Sequence, residues 1–242
     1  MSHYDPEIGG ASCPIFPKKG KRAVVLCNGP QPPVPLLDYW LNGADMFVCT
    51  DAAGHPYDHL PREPDVVIGD FDSLAGRILS GRDGPKFLQV ADQYTTDSEK
   101  ALLYLEGEGF DEIILMGSTG WRLDHTLYNV QLLERFAGRM RILISGHHAD
   151  TIRLGADTSV SWDISPGVLF SVIPMCGQVT GVTLEGAMYP LLGETLEPGG
   201  PATISNRVTM SPLLISVGTG SLLVAVDREL GPQFIEDIFE DE

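Results

Sequence analysis

Residues 113–135 read Ile-Ile-Leu-Met-Gly-Ser-Thr-Gly-Trp-Arg-Leu-Asp-His-Thr-Leu-Tyr-Asn-Val-Gln-Leu-Leu-Glu-Arg. The first four residues form a short apolar run, as a strand buried on both faces should. Gly117-Ser118-Thr119-Gly120 interrupts it, and the glycines free the backbone for a tight turn. From residue 124 to 135, Leu127, Val130, Leu132 and Leu133 supply an apolar helical face. Strand, glycine turn and helix in that order make up part of a βαβ unit.

The same grammar extends outward from Arg22 to about Gly146. Apolar runs recur at 23–27, 46–50, 66–68, 87–90 and 142–144, bounded by Gly, Asp or Asn. A second helix is expected to start near Thr96 or Asp97, with Ala101, Leu102 and Leu105 on its apolar face. Alternating β and α units predict an α/β fold with a doubly wound, mostly parallel, Rossmann-like sheet. After about Gly155 the pattern changes. Runs at 168–173, 179–184, 213–217 and 221–226 are separated by Pro- and Gly-rich turns, which predicts a C-terminal antiparallel β-sandwich. The expected division is a flexible lead-in over 1–21, an α/β catalytic domain over 22–153 and a sandwich over 154–242.

Bulk composition narrows the function classes. A net charge of −17 over 242 residues argues against a nucleic-acid partner, since phosphate backbones demand a basic footprint. No run approaches the roughly 20 apolar residues of a membrane span, and residues 1–21 lack the apolar core of a signal peptide. Cys13, Cys27, Cys49 and Cys176 form no CxxC pair, so neither a zinc site nor a disulfide framework is expected. These features together predict a cytoplasmic protein.

In an open parallel sheet, ligands bind beyond the carboxyl ends of the strands. Five successive strand ends here lead into polar loops: Asn28-Gly29-Pro30, Asp51-Ala52-Ala53-Gly54, Asp70-Phe71-Asp72-Ser73, Asp92-Gln93-Tyr94-Thr95-Thr96-Asp97, and Gly117 through His125. Asp70 and Asp72, two apart in an extended chain, can present both carboxylates to one point, where a hard cation such as Mg²⁺ would relieve their repulsion. Asp72 or Ser73 could equally cap the following helix. Thr96 or Asp97 could likewise act as a cap, with Lys100 reaching back toward phosphates. The turn Gly117–Gly120 suits an anion at a helix N-terminus, although it is not a Walker A sequence. Arg122, the sole arginine of these loops, is the natural phosphate clamp. Asp124 could orient Arg122, bind substrate or cap the helix, while His125 reads as a packing residue.

The ordered set Gly69-Asp70-Phe71-Asp72-Ser73-Leu74, then Asp92-Gln93 with Thr96-Asp97 and Lys100-Ala101-Leu102, then Gly117, Gly120, Arg122, Asp124-His125 and Asn129 resembles the thiamin pyrophosphokinase family. The resemblance continues through residues 181–191 and Ser205-Asn206. It implies an enzyme that moves a diphosphate from ATP to the hydroxyl of thiamin, releasing AMP. It further implies a homodimer whose active sites lie between subunits. By the same resemblance Asp70, Asp72 and Asp97 are the Mg²⁺ ligands, with Asp51 in support. Gln93, Thr96, Lys100, Asp124, Ser205 and Asn206 are implied substrate contacts. Asn28, Gly29, Asp51, Gly117 and Gly120 are implied nucleotide contacts, and Arg122 a catalytic cation.

Two departures from the family pattern stand out. The family's Asp-Gly-Gly-Ala-Asn after the second strand is here Asp51-Ala52-Ala53-Gly54-His55, and the added Cβ atoms narrow the backbone's approach to a ligand. No Trp follows Ser205-Asn206 to stack on thiamin. The rival readings are a phosphatase with Asp70 as nucleophile, a diphosphokinase acting on another alcohol such as a pterin, and a non-catalytic nucleotide- or thiamin-binding regulator.

Overall fold

Buried backbone donors and acceptors must find partners, and the short apolar segments of the first half find them in one another. In the computed structural model, which describes residues 13–228 apart from 52, 54, 56 and 72–83, strands β1 (Arg22–Leu26), β2 (Met46–Thr50), β3 (Val66–Gly69), β4 (Lys86–Gln89), β5 (Glu112–Met116) and β6 (Arg141–Ser145) form a parallel array. Their order is β6-β5-β1-β2-β3-β4. The chain therefore steps outward from β1 to β4, then returns to the other side of β1 for β5 and β6. The boundary between β1 and β5 is the topological switch point, where the loops diverge and leave a crevice.

Three helices cover this sheet among the described residues: α1 (Val34–Leu41), α2 (Asp97–Gly107) and α3 (Leu123–Arg135). Thr96 is the N-cap of α2, its hydroxyl accepting from the Glu99 amide at 3.3 Å. Helix α1 was not foreseen, because it begins within Pro32-Pro33-Val34-Pro35. Proline interrupts helix interiors but is well suited to a first turn. Its Trp40 is fully buried and donates from Nε1 to Ser145 Oγ at 2.9 Å. The apolar face of α3 is shorter than its sequence suggests. Leu132 and Leu133 are buried with Asn129, whereas Leu127 is 54% exposed. A helical period identifies a face, but not which of its turns have a partner beneath them.

Where the strands start, Arg22 is fully buried and donates from Nε and Nη2 to Glu112 Oε2 at 3.1 and 3.0 Å. Arg141 pairs with the other oxygen of Glu112, which also accepts the Lys19 amide at 2.9 Å. Residues 18–21 are thereby tied down, with Lys18 Nζ 2.9 Å from Asp45. Within the lead-in expected over 1–21, residues 18–21 are thus bonded to the sheet. Cys13, Ile15 and Phe16 are also buried, because an apolar Cys-Pro-Ile-Phe stretch gains by leaving water. Residues 1–12 lie outside the described part.

The chain divides into two compact units, Lys18–His147 and a second that gathers residues 13–17 with the chain from His148 onward. The division falls earlier than the boundary expected at residue 153, so β7 (Ala149–Leu154) belongs to the second unit. That unit also holds β8 (Thr158–Trp162), β9 (Leu169–Pro174), β10 (Val179–Glu185), β11 (Leu191–Leu196), β12 (Asn206–Arg207), β13 (Leu213–Val217) and β14 (Leu222–Asp227). Antiparallel pairing gives the orders β12-β9-β14-β7 and β11-β10-β13-β8. Ile152 and Leu154, Phe170 and Val172, and Leu213, Ile215 and Val217 alternate with less buried neighbours, as the two sheets of a sandwich require. Among the described residues no helix is long and apolar enough to cross a membrane.

Candidate active site

The carboxyl ends of the parallel strands open into a cavity of about 370 Å³, within the size range of small-molecule sites. It lies at the switch point, lined by Cys27, Asn28 and Gly29 after β1 and by Gly117, Ser118, Gly120, Trp121 and Arg122 after β5. Gly29 and Gly117 explain why these loops can meet. A Cβ on Gly29 would lie 2.2 Å from the Gly117 carbonyl oxygen, and Gly117 itself has φ +60 with the Cys27 carbonyl 2.6 Å from its ideal Cβ. Only bare backbone permits that approach.

The acidic side is built from adjacent strand ends. Asp51 follows β2, with its amide donating to Ile68 O at 2.7 Å, and Asp70 follows β3. Asp97 opens α2 one residue after its cap. Asp51, Asp70, Asp92 and Asp97 all line the cavity, against Lys100 and Arg122 as its cations. Lys100 has only 5% of its side chain exposed and holds Asp97 Oδ1 at 2.9 Å. Asp92 serves the loop itself: its carboxylate accepts from the Thr95 hydroxyl at 2.5 Å and the Tyr94 amide at 3.0 Å, bonds that hold its carboxyl below the usual range. Asp51 (φ +46), Phe71 (φ +63) and Trp121 (φ +47) adopt left-handed backbone. For such residues this costs on the order of 1–3 kcal/mol each and tends to concentrate at functional sites.

Of the residues singled out from sequence, Asn28, Gly29, Asp51, Asp70, Gln93, Thr96, Asp97, Lys100, Gly117, Gly120 and Arg122 meet at this cavity. Asp72 lies outside the described residues. Asp124 does not line the cavity. It faces Arg122 Nη2 at 2.6 Å, and that hydrogen bond pulls its carboxyl down to about 2. It is placed to orient Arg122. His125 is no packing residue but is exposed on the first turn of α3 and lines the cavity.

Ser205 and Asn206 belong to the second unit. Ser205 is exposed, at φ +55, and donates its amide to Ser171 Oγ at 3.1 Å. Asn206 is buried, and its side chain is occupied by the backbone. Its oxygen accepts the Tyr189 and Arg207 amides at 3.0 and 2.8 Å, and its nitrogen donates to Tyr189 O at 2.8 Å. It thereby holds the segment bearing the exposed Tyr189. The altered loop after β2 is partly described: Ala53 is fully buried, and its amide closes a turn on Thr50 O at 2.9 Å.

Further residues support the site from the cavity wall or between its helices. Asn129 on α3 donates to the Ser118 carbonyl at 2.7 Å, fixing the glycine turn against the helix. The buried Ser118 hydroxyl has no hydrogen-bond partner among the described residues. Glu99 is fully buried, accepts from Tyr128 Oη at 2.5 Å and pairs with Arg135 at 2.5 Å. It ties α2, which carries Asp97 and Lys100, to α3. A buried charge on an otherwise ordinary helix leaves no periodic mark in sequence. Its polar spacing is that of a solvated residue.

The chemistry of Asp51, Asp70 and Asp97 suits Mg²⁺, which prefers carboxylate oxygen and completes its shell with phosphates and water. Among the described residues no group of three or more His, Cys, Asp or Glu side chains could hold a metal ion. Further oxygen ligands, from a substrate or from Asp72 outside the described residues, would complete such a site.

A parallel sheet with a glycine turn, helix N-termini and carboxylates at its switch point defines a phosphate-handling α/β protein. Comparison with known proteins sharpens that class. Residues 37–144 match the family "Thiamin pyrophosphokinase, catalytic domain" and residues 160–222 match "Thiamin pyrophosphokinase, vitamin B1 binding domain". Thiamine pyrophosphokinase 1 of Arabidopsis thaliana is 30% identical over 198 residues, covering 68% of this chain and 72% of the relative. Thiamin pyrophosphokinase 1 of Caenorhabditis elegans is 25% identical over 202 residues, covering 78% and 81%. The crystal structure of thiamin pyrophosphokinase from Geobacillus thermodenitrificans superposes with a TM-score of 0.74 at 26% identity, covering 86% of this chain and 98% of that one. The chain belongs to the thiamin pyrophosphokinase family, and with it to the diphosphokinases.

Proposed function

We propose that this enzyme transfers the terminal diphosphate of ATP to the hydroxyl of thiamin, releasing AMP, with Mg²⁺ bound by Asp70, Asp97 and Asp51 together with Asp72. The thiamin oxygen forms a bond to the β-phosphorus as the bond from that phosphorus to the AMP oxygen breaks, and the hydroxyl gives up its proton. Such transfers depend on alignment and charge stabilisation more than on covalent help. The glycine turn and the N-terminus of α3 offer backbone N–H groups to phosphate oxygens. Lys100, held by Asp97, and Arg122, held by Asp124, offset negative charge on the transferred group. When held by Asp51, Asp70, Asp72 and Asp97, Mg²⁺ would neutralise part of the phosphate charge.

The observation that carries this reading is the convergence of Asp51, Asp70, Asp97, Lys100 and Arg122 with Gly117 and Gly120 on one cavity. An acidic surface also favours approach of the permanently cationic thiazolium of thiamin. A homodimer located in the cytoplasm is part of the same proposal. The test is AMP formation from ATP and Mg²⁺ in purified protein, with and without thiamin. AMP is expected only when thiamin is present. Intact ATP in the presence of thiamin and Mg²⁺, in well-folded protein, would overturn the proposal.

A further inference from the structure

Trp121 is the large aromatic side chain that lines the cavity, yet 79% of it is exposed. Its backbone sits at φ +47, a left-handed conformation that bulky residues rarely adopt. It follows Gly120 in the anion-receptive turn and precedes Arg122. An exposed indole in a disfavoured backbone conformation is not explained by packing. Strain of that kind points from an observed outlier toward function.

We infer that the Trp121 indole is a stacking platform for a planar nitrogen heterocycle bound at the cavity mouth. The inference rests on the reading of this cavity as the substrate site. Both substrates of the proposed reaction carry such a ring, the adenine of the nucleotide and the aminopyrimidine of thiamin. An indole face accepts either by stacking, and it also attracts the thiazolium cation. On that reading Lys100, Arg122 and the glycine turn serve the phosphates, so an aromatic face at the rim would supply the contact that selects which molecule the phosphates belong to.

The protein carries its own probe. Of its three tryptophans, Trp40 is fully buried and Trp162 is 6% exposed, so a ligand-induced change in indole emission reports chiefly on Trp121. Wild-type protein would be titrated separately with AMP, with thiamin and with inorganic diphosphate. One of the two heterocycles should quench the emission, identifying its source, and diphosphate should not. Trp121→Gly, which also relieves the left-handed backbone, should abolish that quench. It should keep a thermal midpoint at or above wild type and raise KM for the same substrate about tenfold, the order a single stack contributes. Trp121→Phe should restore most of that loss. The inference is overturned if neither heterocycle changes the emission, or if folded Trp121→Gly keeps both KM values. A blue shift that follows protein concentration rather than ligand would also overturn it, because a second copy of the chain would then cover the ring. A quench in protein that forms no AMP would overturn the proposed reaction and leave the platform standing.

Discussion

The two edges of the parallel sheet hold similar side chains in opposite states. At the edge where strands begin, the Glu112 carboxylate is met by two guanidinium groups and a backbone amide. At the edge where they end, Asp51, Asp70, Asp92 and Asp97 share one cavity with Lys100 and Arg122. A buried charge with its partners in place maintains the fold, and removing one partner strands the other in a poorly solvating interior. Carboxylates that outnumber the cations around open space suit a ligand that supplies positive charge, even where Asp92 also braces its own loop. The difference separates charges that hold the protein together from charges that act.

The sharpest way to break that comparison is Glu112→Ala. It should leave Arg22 buried without its carboxylate and cost about 3–5 kcal/mol of stability, read from urea denaturation. Folded molecules at low temperature should still turn over near the wild-type rate. Asp70→Asn is the complementary change. It should lower kcat by about a hundredfold or more, as loss of a preorganised charge does, while the urea midpoint moves little. Comparable losses of stability and activity in both variants would erase the distinction between the edges.

The smallest effect concerns the exposed pair Arg122–Asp124. Its hydrogen bond lowers the folded-state pKa of Asp124 to about 2, from 3.8 in the unpaired group. A lowered carboxylate pKa gives stability that is present above the unfolded value and lost as pH falls through the folded one. Titration of the Asp124 carboxyl by NMR should therefore show a midpoint near 2, and Arg122→Gln should return it toward 3.8. Because both side chains are exposed, solvent screening should keep the change in overall stability slight.

How much was legible in the sequence followed from how each element is buried. Strands covered on both faces announce themselves as apolar runs, so β1, β2, β5 and β6 could be read to within a residue or so at either end. Strand β7 escaped notice because its inward positions include Asp150, paired with Arg228. Strand β11 was missed because most of its residues are exposed, and α1 because prolines fill its entry. The site was legible as ordered loops, but their roles were not. The resemblance implied Asp124 and Asn206 as substrate contacts, and the fold adds that each also hydrogen-bonds within the protein. Glu99 and Trp121 carried no pattern that set them apart, and Asn129 stood in a motif without a role.

The sequence by itself determined the α/β alternation, the change to antiparallel grammar after Gly155 and the set of loops that end the strands, because local periodicity and turn chemistry are properties of short stretches. Tertiary structure alone decided which of those loops meet across the switch point, which acids are neutralised and which face a cavity. Those outcomes depend on distances between residues far apart in the chain, such as Gly29 against Gly117 or Glu99 between two helices, and such distances exist only once the chain has folded.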